Sequence, residues 1–391
     1  MKDWNSILSP AVQNVAPSGI RKFFDIAAEM EDVISLGVGE PDFVTPWTIR
    51  ESCVYGLEQG YTSYTANRGM LELREEIAKN TALHGGVSYD PKTDILVTVG
   101  VSEALDLAMR ALLAPGDEVL IPEPCYVSYK ACTVLAGGVA VPVPTKIENE
   151  FRITPADLEA HLTPKTKVLL IGYPNNPTGA VMSRSDLIEI ANFAEEHDLI
   201  VISDEIYGNL TYGGEEHVTF SSLPGMKERT ILLDGFSKSY AMTGWRIGYA
   251  QGAPEIIAAM TKIHQYTMLC APITAQIAAI EALRRGEKYM RKMVSEYDRR
   301  RGVIYRGFRE IGLPCFEPKG AFYIFPDIRG TGMTSEQFAE ELLRTEHVAL
   351  VPGSAFGECG EGYVRCSYAT ALGQIDEAIA RIGNFVKKHI K

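Results

Sequence analysis

The segment Ser237-Lys238-Ser239-Tyr240-Ala241-Met242-Thr243-Gly244-Trp245-Arg246 sets a lysine among small residues, with an arginine eight positions further on. It follows the apolar run 231–233, so it reads as the carboxyl end of a strand. Open α/β sheets keep their ligand crevice at that edge. An amine partly withdrawn from water there loses proton affinity and becomes a usable nucleophile. Ser237 and Arg246 add a hydroxyl and a guanidinium, a pairing suited to a phosphate. A lone lysine is usually a solvated loop residue; its neighbours weigh against that reading here.

Other strand ends carry complementary groups. Leu199-Ile200-Val201-Ile202-Ser203 runs into Asp204-Glu205-Ile206-Tyr207. A carboxylate there can pair with a protonated ring nitrogen and keep a pyridine cationic, which makes the ring an electron sink. Taken alone, Asp204 is equally a helix cap and Tyr207 a core aromatic. The run 168–171 leads into Gly172-Tyr173-Pro174-Asn175-Asn176-Pro177-Thr178-Gly179, whose Asn-Pro-Thr-Gly is by itself an ordinary turn. Thr98-Val99-Gly100-Val101-Ser102 reads as strand, glycine and helix start, and free N–H groups at a helix start bind phosphate. Simple capping by Ser102 is the plainer alternative. Arg365 lies on a predicted strand, and a buried arginine on a strand is costly unless paired.

Together and in this order, these motifs resemble those of the class I/II aminotransferases, fold-type-I pyridoxal-phosphate-dependent enzymes of the aspartate/aromatic aminotransferase kind. The Ser-Lys-x-x-x-x-x-Gly-x-Arg pattern is similar to the family's lysine signature, and the likeness runs from about residue 33 to 385. The resemblance implies that Lys238 carries pyridoxal 5′-phosphate as an imine and later moves the α-proton. It implies Asp204 on the ring nitrogen, Tyr207 and Asn176 on the ring's phenolate oxygen, and Tyr126 stacked on the ring face. The amides of Val101 and Ser102, with Ser237 and Arg246, would hold the phosphate. Tyr64 would reach the phosphate in a neighbouring subunit, which implies a homodimer with shared active sites. Arg365, Asn176 and the Gly39 amide would hold the substrate α-carboxylate.

Elements must bring these groups together. Strands are predicted at 95–99, 118–121, 139–143, 168–171, 200–203 and 231–233, and helices at 102–113, 185–196 and 254–264. The alternation predicts an α/β fold with a mostly parallel sheet flanked by helices. The resemblance implies seven strands and a smaller α/β C-terminal domain. A charged helical region is predicted over 273–311, broken near Gly286 and Gly302. Beyond it come a strand at 321–325, a helix at 335–345, strands near 348–351 and 363–367, and a final helix. The expected division is an N-terminal segment 1–45 packing with the small domain, a large cofactor-binding domain 46–285, and a small domain 286–391.

Composition narrows the setting. A chain of 391 residues exceeds the ~250–300 at which one core stops growing. A net charge of −12 argues against a nucleic-acid partner. Seven cysteines, an odd number without a C-x-x-C pair, argue against a disulfide framework and fit a reducing compartment. The histidines show no paired ligand spacing, so no metal is expected. No signal peptide and no run of ~18 apolar residues is visible, so no membrane span is expected and the cytoplasm is the predicted location.

The expected reaction moves an amino group between an L-amino acid and a 2-oxo acid. A β C–S lyase or a decarboxylase on the same scaffold is the alternative. A non-catalytic regulator that senses the cofactor is a remote one, disfavoured by the acidic charge. The stretches Gly19-Ile20-Arg21-Lys22-Phe23-Phe24 and Asp42-Phe43-Val44-Thr45-Pro46-Trp47 look like those of aromatic or broad-range aminotransferases, with aspartate-using relatives close by.

Overall fold

The computed structural model describes residues 7–17, 19 and 30–389; of the stretch compared with aromatic and broad-range enzymes, 20–24 lies outside them. Its centre is a seven-stranded sheet made of β2 (Ile95–Thr98), β3 (Glu118–Glu123), β4 (Val139–Pro144), β5 (Thr166–Ile171), β6 (Ile200–Asp204), β7 (Thr230–Gly235) and β8 (Gly248–Gln251). The spatial order is β2-β8-β7-β6-β5-β3-β4. Only β8 runs against the others, pairing antiparallel with β2 and β7. The middle strands read as continuous apolar runs because helices cover both faces. Leu169, Val201 and Leu120 pack on one side, and Leu170, Ile202 and Leu233 on the other.

The helix starts follow local chemistry. Ser183 and Asp186 form a capping box ahead of Arg184–Glu196, and Thr334 with Gln337 does the same for Ser335–Glu346. Helix Val101–Leu112 differs: its N-cap is Gly100, and no side chain caps it. Ser102 does not cap it, so the plainer alternative falls away, and no side chain caps its first N–H groups.

A second group of strands lies along the C-terminal third. β9 (Tyr323–Ile324), β11 (Val351–Pro352) and β12 (Val364–Ser367) form a three-stranded antiparallel sheet. β1 (Ile34–Ser35) pairs in parallel with β10 (Val348–Ala349). The Leu36 N–H then donates to Ala349 O and the Ser367 N–H to Leu36 O, threading residues 34–39 between C-terminal strands. The helical region predicted over 273–311 does break at Gly286, into Ile273–Arg285 and Glu287–Glu310. Gly302 does not break it. The second helix buries Met293, Tyr297, Ile304 and Phe308, and that apolar stripe outweighs the ~1 kcal/mol that one interior glycine costs.

Candidate active site

Five strands of the large sheet end on the same edge, and each end carries a predicted group. β2 leads to Gly100 and Val101, β3 to Tyr126, β5 to Asn176, β6 ends in Asp204, and β7 leads to Lys238. All of these except Gly100 line one cavity of about 360 Å³, within the usual range for small-ligand sites. Gly39, Ser102, Tyr207, Ser237, Arg246 and Arg365 line it too. Tyr64 does not: it is 83% exposed and away from the cavity of its own chain.

The lysine loop is tied down on several sides. The Met242 N–H donates to Ser237 O, Thr45 Oγ1 donates to Ala241 O at 2.6 Å, and Trp245 Nε1 donates to Thr45 Oγ1. Lys238 Nζ donates to Gly39 O at 2.6 Å and has no carboxylate partner among the described residues. Burial pushes its amine down to about 8; Glu40 opposes this, and the cations Arg365 and Arg246 add to it. Glu40 is itself fixed by Thr243 Oγ1, which donates to Oε2 at 2.9 Å.

Asp204 is buried at the end of β6. Burial pushes its carboxyl up to about 6, against a hydrogen bond from the Tyr129 hydroxyl and another from the Ile206 N–H. Tyr129, in the first turn of helix Ser128–Leu135, stands edge-on to Tyr126 at 5.7 Å. Tyr207 and Tyr323 share a hydroxyl–hydroxyl hydrogen bond of 2.9 Å. Burial, with the neighbouring Tyr323, holds the Tyr207 hydroxyl well above the ordinary phenol range.

Arg365 is 3% exposed. Nη1 donates to Asn176 Oδ1 at 3.0 Å, and Nη2 donates to Gly37 O at 2.6 Å. Its guanidinium stacks over the rings of Tyr323 and Phe356, at 4.5 and 4.9 Å. Nε has no partner, and no carboxylate faces the group among the described residues. A buried cation without a counter-charge is strongly disfavoured unless an anion arrives to meet it.

Arg246 rests against the glycine that opens helix Val101–Leu112. Gly100 has φ +78°, and a Cβ there would lie 2.8 Å from Arg246 Nη2. A guanidinium, uncapped helix amides and the Ser237 hydroxyl thus converge at one end of the cavity. Gly39 presents its carbonyl to Lys238. Of Asp42-Phe43-Val44-Thr45-Pro46-Trp47, none lines the cavity: Asp42 accepts from the buried Arg300, and Phe43 packs edge-on to Tyr297.

Tyr129, Tyr323 and Glu40 were not singled out by sequence. No local pattern marked them: Tyr126 lies in the turn before helix Ser128–Leu135, and Tyr129 is its second residue.

Residues 31–382 match the family model described as aminotransferase class I and II. YugH of Bacillus subtilis (strain 168) is 56% identical over 98% of this chain and 99% of its own. The aspartate aminotransferase of Pyrococcus abyssi is 49% identical over 97% and 98%. The solved aromatic aminotransferase from Pyrococcus horikoshii OT3 superposes with a TM-score of 0.90 at 48% identity, covering 94% of this chain and 99% of that one.

Proposed function

This chain belongs to the class I and II aminotransferases, and from that premise we propose how its own residues transfer an amino group from an amino acid to a 2-oxo acid. The cavity fits pyridoxal 5′-phosphate. A guanidinium and uncapped helix amides stand where a phosphate would go, a buried carboxylate where a basic ring nitrogen would go, and a weakened amine between them. Bound there, this group supplies an aldehyde for capturing amines and a pyridinium ring that takes up electrons. Lys238 would hold it covalently. Val101, Ser102, Ser237 and Arg246 would hold the phosphate, Tyr126 the ring face, Asp204 the ring nitrogen, and Tyr207 and Asn176 the ring oxygen.

Arg365 carries the reading: its buried, uncompensated guanidinium beside Lys238 calls for a carboxylate, which every amino acid and 2-oxo acid brings. Asn176 keeps that fork aimed, and the Gly39 N–H adds a donor to the same carboxylate. So anchored, the donor presents its α-hydrogen to Lys238 Nζ. An amine titrating near 8 is still mostly protonated at pH 7 but keeps a neutral fraction far larger than an ordinary lysine's, and in that form Nζ can accept the proton and deliver it again. Asp204, kept as carboxylate by Tyr129 and Ile206, holds the counter-charge that keeps the ring cationic.

The relatives are named for aspartate and for aromatic substrates. The wall here carries Tyr126, Ile206 and Tyr323, so we place aromatic donors first. We also place two copies together, with the exposed Tyr64 meeting the partner's phosphate site; exposed Val54, Tyr55, Leu57 and Tyr61 nearby give that contact apolar surface. An N-terminal segment to about 45, a large domain to 285 and a small domain beyond are the division we adopt. A cytoplasmic location is supported by seven cysteines none of which is bonded to another.

The test is amino transfer from a panel of L-amino acids to 2-oxoglutarate by the cofactor-loaded enzyme. Wild type should form glutamate, with phenylalanine or tyrosine exceeding aspartate in kcat/KM. A Lys238→Ala protein turning over at the wild-type rate would overturn the assignment. Sedimentation should give twice the mass of one chain.

A further inference from the structure

Helix Val101–Leu112 begins with an acid that its proposed task does not want. Glu103 occupies the third helical residue, in the turn whose N–H groups face the cavity. A free carboxylate at that position is attracted to the same amides and the same dipole end as a bound phosphate, and it repels the phosphate itself. Glu103 is not free. Its Oε2 accepts from the Val99 N–H at 2.5 Å, behind the turn, and its Oε1 lies 2.6 Å from His264 Nδ1. His264 comes from the distant helix Pro254–Thr267 and is wholly buried, while the Glu103 side chain is 8% exposed. The other ring nitrogen, Nε2, is buried with no partner. Burying an imidazole with one nitrogen unsatisfied costs stability, and among the described residues its ring's polar contact is to Glu103.

We propose that His264 is a positioning residue: it keeps the Glu103 carboxylate bound back onto Val99, leaving the amides of Val101 and Ser102 clear for the phosphate of the cofactor. The inference rests on the reading of this cavity as a pyridoxal-phosphate site. Its distinguishing feature is that the effect passes through the phosphate and not through the ring. The groups assigned to the ring, Tyr126, Asn176, Asp204, Tyr207 and Lys238, end or follow β3, β5, β6 and β7, away from the β2 turn that Glu103 shares.

The experiment compares pyridoxal 5′-phosphate with pyridoxal, which lacks the phosphate, by absorbance titration of cofactor-free protein. Wild type should strongly prefer the phosphorylated form; if it does not, the reading of the site fails, independently of His264. His264→Leu should weaken pyridoxal 5′-phosphate roughly tenfold and pyridoxal by less than about twofold, the scale expected for a carboxylate freed at a helix N-terminus. Adding Glu103→Gln to His264→Leu should recover most of the loss, because the freed group is then uncharged. Equal weakening of both ligands, no weakening, or no recovery in the double variant would each overturn the proposal. Should the leucine variant not fold, His264→Gln, which can still donate to Glu103, should bind like wild type, and a tenfold loss there would count equally against it.

Discussion

The Tyr129 hydroxyl donates to Oδ2 of Asp204 across 2.8 Å, while the Ile206 N–H holds the other oxygen at 3.2 Å. Burial raises this carboxyl to about 6, and the two donors, with Lys238, stop it rising further. Removing one donor therefore moves the protonation upward, into the working range. A hydrogen bond to a charged group contributes about 1.5–3 kcal/mol, so Tyr129→Phe should lower kcat/KM at pH 7 by roughly tenfold or more. The acid limb of the pH profile should shift to higher pH in the variant. An unmoved limb would show that Tyr129 only packs.

Arg365 offers a charge that nothing in the described chain neutralises. An unreactive carboxylate such as 3-phenylpropionate should stabilise the wild-type enzyme in proportion to its binding, by about 2.7 kcal/mol at a hundred times Kd. Arg365→Gln should abolish that thermal shift and raise KM for amino donors by about a hundredfold, the scale of losing a charge-assisted fork. The unliganded variant should melt no lower than wild type, because a buried uncompensated cation is gone. A thermal shift preserved in the variant would assign the carboxylate to another residue.

Lys238 and Glu40 set the working pH from the same end of the cavity. Burial lowers the amine to about 8, and Glu40 is the strongest charge raising it. Glu40→Gln removes the raising influence, so the midpoint should fall below 8. Reductive methylation of Lys238 in cofactor-free protein, followed by mass spectrometry across pH, measures it directly. A midpoint moving upward would contradict the sign.

How the site could be read from sequence depended on where each group sits. Residues that end apolar strands were legible: 200–203 was visible as a strand, so Asp204 was visible as a strand end. β8 was not, because Gly248-Tyr249-Ala250-Gln251 has neither an apolar run nor clean alternation, and its place comes from pairing on both sides with β2 and β7. Tyr323 and Tyr129 act through their hydroxyls across 116 and 75 residues of chain, and no local spacing encodes such contacts. Gly302 looked like a break because local propensity was weighed without the buried stripe that overrides it. The stretch 348–351 read as one strand is two, β10 and β11, in different sheets.

Asp234 lies on β7 four residues before Lys238, accepting from Tyr249 Oη at 2.8 Å and from the Gly235 N–H at 2.6 Å. Burial pushes its carboxyl up to about 7, Glu205 adds to the rise, and His217 opposes it. Asp204 shifts in the same direction. In the unfolded chain both titrate near their ordinary value of 3.8, so between about 4 and 7 the folded protein holds protons that the unfolded chain has released. Stability must then fall as pH rises through that window, at up to about 1.4 kcal/mol per pH unit for each such group. Asp234→Asn removes the larger of the two contributions. It should raise the melting temperature of the cofactor-free protein clearly at pH 8, by an amount equivalent to a few kcal/mol at most, and much less at pH 5, where Asp234 is already largely protonated in the folded state. Melting curves at the two pH values decide it: an equal effect at both would mean that the carboxyl is not held protonated by burial.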